Sequence, residues 1–155
     1  MHRFIGYYEN SGEGLTHYKN WLWDWRDLRS ATFGQHFGPH DLKVRELGSG
    51  KSRHDSAREI GLEFKIVNRI DSKADGIESS RRILPQCAFD EENCAQGIKH
   101  LDNYRADFDD KHGIYKSTPR HDAASHGADG FQTFSTGWKQ PTIRKLKSRR
   151  VKGIH

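Results

Sequence analysis

The side chains best suited to chemistry lie in residues 119–134. On a helix, four of them follow the i, i+3, i+4, i+7 pattern and occupy an arc of roughly 100° on one face: Asp122, Ser125, His126 and Asp129. The opposite face consists of small and apolar residues, namely Ala123, Ala124, Gly127, Ala128, Phe131 and Phe134. Because the polar arc offers oxygen and nitrogen ligands without a basic residue, we expect it to hold a divalent cation. The alternative is that Asp122 and His126 form an ordinary surface pair.

A second acidic residue, Asp41, lies in a different setting. Apolar residues alternate after it, and Pro39 forces His40 toward extended geometry. We therefore predict that residues 40–44 form a strand with Asp41 on it or at its end, where α/β folds place their chemistry. The alternative is a turn that Asp41 caps.

Asp41 and Asp129 are far apart in the sequence, one on the expected strand and the other on the expected late helix. Enzymes that cleave phosphodiesters with two metal ions combine carboxylates in this way, because their ions lie about 4 Å apart and share ligands. We therefore expect the two carboxylates to lie within roughly 7 Å of each other.

Seven short motifs, in the same order over residues 4–134, resemble the nuclease domain of the large terminase subunits of tailed bacteriophages. They are Gly6–Leu15 with Tyr18, Pro39–Asp41, Gly48–Arg53, Asp75–Ile77 with Arg81 and Arg82, Phe89–Asp90 with Cys94, Tyr104–Arg105, and His121–Phe131. Each motif alone is weak, and their shared order makes the resemblance specific.

The resemblance implies a ribonuclease H-like α/β fold, with a mixed sheet flanked by helices, and an endonuclease that cuts concatemeric viral DNA during packaging. Asp41 matches the family's second catalytic acid, Asp129 its third, and His126 a histidine near the metal. The implied cofactors are two Mg²⁺ or Mn²⁺ ions bound by these three residues, with Asp122 supporting them from outside. The implied partners are double-stranded DNA, the terminase ATPase domain, the small terminase subunit and the portal.

The family's first catalytic acid precedes the strand that we expect at residues 3–8, and this chain begins at Met1. We therefore expect residues 1–135 to form a nuclease domain that lacks its first strand. Two carboxylates would hold a second cation weakly, so we expect slow cleavage, and Glu9 is not expected to replace the absent acid. The alternative is an inactive prophage remnant that acts at most as a DNA-binding module.

The last helix departs from the family pattern at two positions. Gly130 stands where the family usually has alanine, which costs roughly 1 kcal/mol of helix propensity. Gln132 stands where the family usually has arginine.

The positive charge of the chain is concentrated at one end. The 155 residues carry a net charge of +5, yet no acid follows Asp129. Seven basic residues lie there: Lys139, Arg144, Lys145, Lys147, Arg149, Arg150 and Lys152. The rest of the chain has 19 Lys and Arg against 21 Asp and Glu, a net charge of −2. We expect residues 136–155 to be a basic, disordered tail that contacts DNA phosphates; the alternative is a tail that only aids solubility or a stretch read past an ancestral stop codon.

The stretch Gly48–Ser52 resembles a phosphate-binding loop, but that motif needs a glycine where the chain has Arg45. Nucleotide hydrolysis is therefore not expected. Lys51 and Arg53 are instead expected to contact the DNA backbone.

Hydrophobic periodicity predicts the remaining elements. Further helices are expected over residues 14–28, 52–61, 72–84 and 90–113, and further strands over 63–67 and 88–89. No apolar run could span a bilayer and no signal peptide is evident, so we expect no membrane partner and a location in the cytoplasm of a bacterial host. Cys87 and Cys94 are expected to be reduced thiols.

Overall fold

The structure is a computed structural model that describes residues 1–138, which contain five helices and six short strands. The helices are α1 (Leu15–Leu28), α2 (Arg53–Glu59), α3 (Lys73–Ile83), α4 (Ala95–Asn103) and α5 (Ala123–Gly137). The strands are β1 (His2–Phe4), β2 (His36–Gly38), β3 (Phe64–Ile66), β4 (Cys87–Phe89), β5 (Ala106–Asp109) and β6 (Ile114–Pro119). Two short 3-10 helices span His40–Lys43 and Leu84–Gln86. The protein is therefore of the mixed α/β class, as the sequence predicts.

The strands of the described residues pair in three two-stranded sheets, rather than in the one mixed sheet that the resemblance implies. The β1 and β4 strands are parallel, as are β2 and β3, whereas β5 and β6 form an antiparallel hairpin. A parallel pair needs a crossover connection, and α2 lies in the connection between β2 and β3. The carboxyl ends of β2 and β3 therefore lie side by side.

The core is built around α5, which packs against α3 and α4. Its Phe131 ring lies 5.4 Å from the ring of Phe4 on β1 and 6.1 Å from the ring of Phe89 on β4, measured between centroids. On the α4 side, a Cβ atom added to Gly127 would lie 2.7 Å from the Cβ of His100. The two helices are therefore so close that position 127 has room only for glycine. The helix is held by aromatic packing and close backbone approach.

Two predicted helix starts are confirmed. The Ser52 side chain accepts a hydrogen bond from the Asp55 backbone N–H while the Asp55 carboxylate accepts one from the Ser52 N–H, which is a capping box at the start of α2. Ser72 caps α3 in the same way, by accepting a hydrogen bond from the Asp75 N–H. The predicted α1 is also found, at residues 15–28.

The helix predicted over residues 90–113 is wrong, because α4 ends at Asn103 and the β5–β6 hairpin follows. The Asp109 carboxylate accepts a hydrogen bond from the Lys111 N–H at 3.0 Å, and Gly113 has a φ of +65°, which only glycine adopts readily. This turn joins the two strands. The helix also begins later than predicted, since Asp90 accepts a hydrogen bond from the Asn93 N–H in a turn before α4.

The strand expected over residues 3–8 is shorter, because β1 ends at Phe4. The cysteines are free, as predicted, and burial raises the pKa of both thiols, Cys87 and Cys94. Within residues 1–138, no helix is long and apolar enough to cross a bilayer. The α5 helix extends to Gly137, two residues past the expected boundary at 135, and the basic residues of the expected tail lie outside the described part of the chain.

Candidate functional site

A cleft of about 530 Å³ lies at the carboxyl ends of β2 and β3, the edge at which α/β folds bind ligands. Three segments line it: the turn after β2, the segment from the end of β3 into α3, and one side of α5. The lining residues are Phe37, Pro39, His40, Asp41, Val67, Asn68, Arg69, Ile70, Ser72, Lys73, His126, Asp129, Gly130, Gln132, Thr133 and Thr136. The three residues predicted to be catalytic, Asp41, His126 and Asp129, are all among them.

Asp41 reaches the cleft from a turn, so the strand predicted over residues 40–44 is wrong. The last ladder hydrogen bond runs from the Val67 N–H to the Gly38 carbonyl at 2.8 Å, and Pro39, which has no N–H, cannot continue the ladder. The chain then turns in the 3-10 helix, where the Val44 N–H donates to the Asp41 carbonyl at 3.0 Å. The turn, which was the alternative for this segment, presents Asp41 as an exposed side chain at the rim of the cleft.

The polar arc predicted on α5 divides into two parts with different roles. Asp122 is the N-cap: its carboxylate accepts a hydrogen bond from the Ala124 N–H at 3.0 Å, and it does not line the cleft. Ser125 is buried and donates to the Asp122 carbonyl at 2.7 Å. Only His126 and Asp129 of the arc are exposed to the cleft.

The Asp129 carboxylate forms a hydrogen-bonded ion pair with the ammonium group of Lys73, the first residue of α3. Burial lowers the pKa of Lys73, but the hydrogen bond and charge of Asp129, together with Tyr104, outweigh this effect, so the pKa lies above its ordinary value. Lys73 is therefore protonated at neutral pH. The sequence arc contains no basic residue, yet the fold supplies one from another helix.

Tyr104 and Gln132 support this ion pair. The Lys73 nitrogen lies 5.8 Å from the centroid of the Tyr104 ring, within the range of a cation–π contact. The Gln132 side chain is buried and donates a hydrogen bond to the Tyr104 hydroxyl at 3.3 Å. Its carbonyl oxygen would lie 2.8 Å from a Cβ atom added to Gly76 of α3. Gln132 therefore fills the contact between α5 and α3 without adding a charge.

Sequence reasoning missed Lys73 and Arg69 as parts of this cleft, and Tyr104 as the aromatic contact of Lys73. The one local signal is the position of Lys73 directly after the Ser72 cap, where the helix dipole disfavours a cation. This position alone does not identify Asp129 as the partner, because Asp75 supplies an acid in the same first turn.

The donor atoms at the cleft suit Mg²⁺ or Mn²⁺, since both cations prefer carboxylate oxygens and Mn²⁺ also accepts imidazole. However, no three His, Cys, Asp or Glu side chains in residues 1–138 are grouped closely enough to hold a metal ion. Mg²⁺ commonly binds through one or two carboxylates and keeps several waters. Asp41 and Asp129 are the two cleft carboxylates that could hold such a cation, and their separation of no more than roughly 7 Å stays a prediction.

Lys51 and Arg53, predicted to contact DNA, lie outside the cleft. The Lys51 ammonium is 2.6 Å from the Glu59 carboxylate, and the Arg53 guanidinium is 3.4 Å from the Glu46 carboxylate. All four side chains are more than half exposed, so these pairs contribute little to stability and are open to exchange.

No family model matches the chain, and neither a curated protein nor a solved structure matches it. The residues of the site define an α/β protein with a mixed acidic and basic cleft at the carboxyl ends of two parallel strands.

Proposed function

We propose that this protein is a ribonuclease H-like nuclease domain of the kind found in phage terminase large subunits, and that it hydrolyses phosphodiester bonds of double-stranded DNA. One observation carries the proposal: Asp41, His126 and Asp129 come from distant parts of the sequence and line the same cleft. The cleft lies at the carboxyl ends of parallel strands, which supports a catalytic use.

A Mg²⁺ or Mn²⁺ ion in the cleft would activate a water molecule and stabilise the charge that develops on the phosphate. Asp41 and Asp129 would hold the cation through their carboxylates, and His126 would exchange a proton at the same edge. Arg69, which also lines the cleft, would hold a DNA phosphate next to the acidic residues.

The proposed partners are double-stranded DNA, the terminase ATPase domain, the small terminase subunit and the portal, in the cytoplasm of a bacterial host. The seven basic residues after Asp129 support the DNA partner, because clustered Lys and Arg residues bind phosphates without regard to sequence. The remaining partners follow from the order of the motifs alone.

Calorimetric titration with Mn²⁺ tests the proposed ligands. We expect Asp41→Asn and Asp129→Asn each to weaken Mn²⁺ binding by roughly tenfold or more, since each removes a charged ligand. Asp102→Asn is the matched control, because Asp102 is an exposed acid on α4 that does not line the cleft. Unchanged affinity in both cleft variants would refute the proposed site.

A plasmid-nicking assay with Mn²⁺ tests the activity itself. We expect slow nicking that Asp129→Asn abolishes and Asp102→Asn does not affect. The rate is expected to be low because Asp41 and Asp129 suffice for one cation, whereas two-ion catalysis needs further negative charge. Nicking that survives the loss of Asp129 would contradict the proposed catalytic role.

A DNA-binding module without catalysis is the second candidate, and the Lys73–Asp129 ion pair favours it because the pair already neutralises one of the two carboxylates.

Truncation after Trp138 separates the contribution of the tail to DNA binding from that of the cleft. This end point keeps the packing of Trp138 on His2 and Phe134, whose ring centroids lie 5.3 and 6.1 Å away. If the tail carries the binding, the truncated chain should lose most duplex affinity and the slope of log affinity against log salt should flatten. DNA binding without Mn²⁺-dependent nicking would favour this candidate.

A further inference from the structure

Lys73 occupies an unfavourable position for a cation. It is the first residue of α3, next to the Ser72 cap, where the positive end of the helix dipole repels an ammonium group. Asp75 in the same turn offsets part of this repulsion, and the ion pair with Asp129 of α5 adds to the compensation. The pair therefore links α3 and α5 across the cleft. Removing either side chain leaves the other without this ion-pair partner.

The ammonium group is held in place by more than one neighbour. The Tyr104 ring lies 5.8 Å from the Lys73 nitrogen, and Gln132, itself buried, donates a hydrogen bond to the Tyr104 hydroxyl. A positive charge thus stands directly on Oδ1 of the Asp129 carboxylate.

Both side chains of the pair retain access to solvent. Lys73 is 42% exposed and Asp129 is 53% exposed, so the lysine has room to leave the carboxylate without opening the core. A divalent cation gains less from a carboxylate that an ammonium group already neutralises, and the two positive charges repel each other. Lys73 and a metal ion therefore compete for the same ligand.

From this geometry we infer that Lys73 is a built-in competitor that sets the cation affinity of the cleft, an inference that rests on the proposed metal-binding role of Asp129. The lysine takes the position of a cation at Asp129 while the site is empty of metal. Lys73 is displaced when a divalent cation binds. It thereby determines the concentration of Mg²⁺ or Mn²⁺ at which the cleft is loaded.

Calorimetric titration of Lys73→Met with Mn²⁺ tests the inference. The methionine keeps much of the apolar stem but removes the charge, so the variant should bind Mn²⁺ roughly tenfold or more tightly than the unaltered chain. Lys73→Arg keeps the charge and should not tighten binding. Lys51→Met is the matched control, because Lys51 forms a surface ion pair with Glu59 away from the cleft, and its removal should leave Mn²⁺ affinity unchanged.

A double variant separates the failure of this inference from failure of the proposed function. If Lys73 acts through Asp129, then Lys73→Met should no longer tighten Mn²⁺ binding in the Asp129→Asn background. Thermal unfolding of each variant establishes that it is folded at the titration temperature, and Lys73→Gln replaces Lys73→Met if the latter is not. If Mn²⁺ binding depends on Asp129 but neither Lys73→Met nor Lys73→Gln tightens it, the inference about Lys73 is overturned while the proposed site stands. Mn²⁺ binding that does not depend on Asp129 would overturn the proposed site as well.

Discussion

The two sides of α5 carry similar groups in different surroundings. On the α4 side, Gly127 packs directly against His100, which is 5% exposed and whose Nε2 lies 2.7 Å from the Glu9 carboxylate. On the cleft side, Asp129 is half exposed and pairs with Lys73. Each side therefore has one acid paired with one base.

The difference between the two pairs is what surrounds them. His100 is enclosed by α5 and by the ring of Tyr7, whose centroid lies 5.9 Å from its own, so the histidine cannot leave Glu9 without disturbing the core. The Lys73–Asp129 pair borders an open cleft and can exchange partners with solvent or a ligand. Burial, rather than residue type, thus separates a pair that stabilises the fold from a pair available for binding.

Gly127→Ala should have the largest effect, on the packed side. The new Cβ atom would lie 2.7 Å from the His100 Cβ, so the helices would have to move apart. The cost of overpacking, less the roughly 1 kcal/mol that alanine adds in helix propensity, gives an expected net loss of up to about 2 kcal/mol. Urea denaturation followed by circular dichroism measures the loss. Unchanged stability would mean that α4 and α5 are not packed as closely as described.

Glu9→Gln should have a smaller effect on the same side. The carboxylate only accepts hydrogen bonds, so His100 donates to it, and the Tyr7 hydroxyl donates at 2.7 Å. Glutamine can still accept, but a neutral acceptor replaces a charged one. Because the Glu9 side chain is 41% exposed, solvent limits the loss to about 1 kcal/mol at neutral pH.

The stabilisation that the Glu9 carboxylate provides should depend on pH, in a direction set by the shift of its pKa. The hydrogen bond from His100 is the main cause that holds the pKa of Glu9 below its ordinary value. The stabilisation is therefore fully present above the unfolded-chain pKa of about 4.3, and is lost as the pH falls through the lower folded pKa. In urea denaturation, Glu9→Gln should be less stable than the unaltered chain at pH 7, and the two should converge at acidic pH. A difference that is constant with pH would exclude the charge of Glu9 as its cause.

Local signals in the sequence predict the starts of α2 and α3. Ser52 and Ser72 are correctly predicted as caps, because a cap depends on residues within one turn of each other. The predicted helix over residues 90–113 fails because apolar spacing carries no information on the pairing of β5 with β6. That pairing depends on the turn at Asp109 and on contacts across the hairpin.

The residues of the cleft also divide into those that local sequence predicts and those that only tertiary packing brings together. Asp41 and Asp129 are candidates from the sequence because each is an acid in a distinct local setting, and both line the cleft. Lys73 is not recognisable, because it meets Asp129 only through the packing of α3 on α5, where Gln132 contacts Gly76. The composition of one helix face therefore cannot reveal the charge that a neighbouring helix brings to it.

Gly130→Ala, on the cleft side, should have the smallest effect and the opposite sign to Gly127→Ala. A Cβ atom added to Gly130 would have no atom within 4 Å outside its own helix segment, so alanine adds no clash. It restricts the unfolded chain and improves helix propensity, which should stabilise the protein by about 0.5–1 kcal/mol. Mn²⁺ affinity should not change, because the methyl group neither adds nor removes a charge beside Asp129. Urea denaturation and calorimetry measure the two quantities on the same sample. Destabilisation by Gly130→Ala would mean that the cleft side of α5 is packed as tightly as its α4 side, and the contrast between the two sides would then be lost.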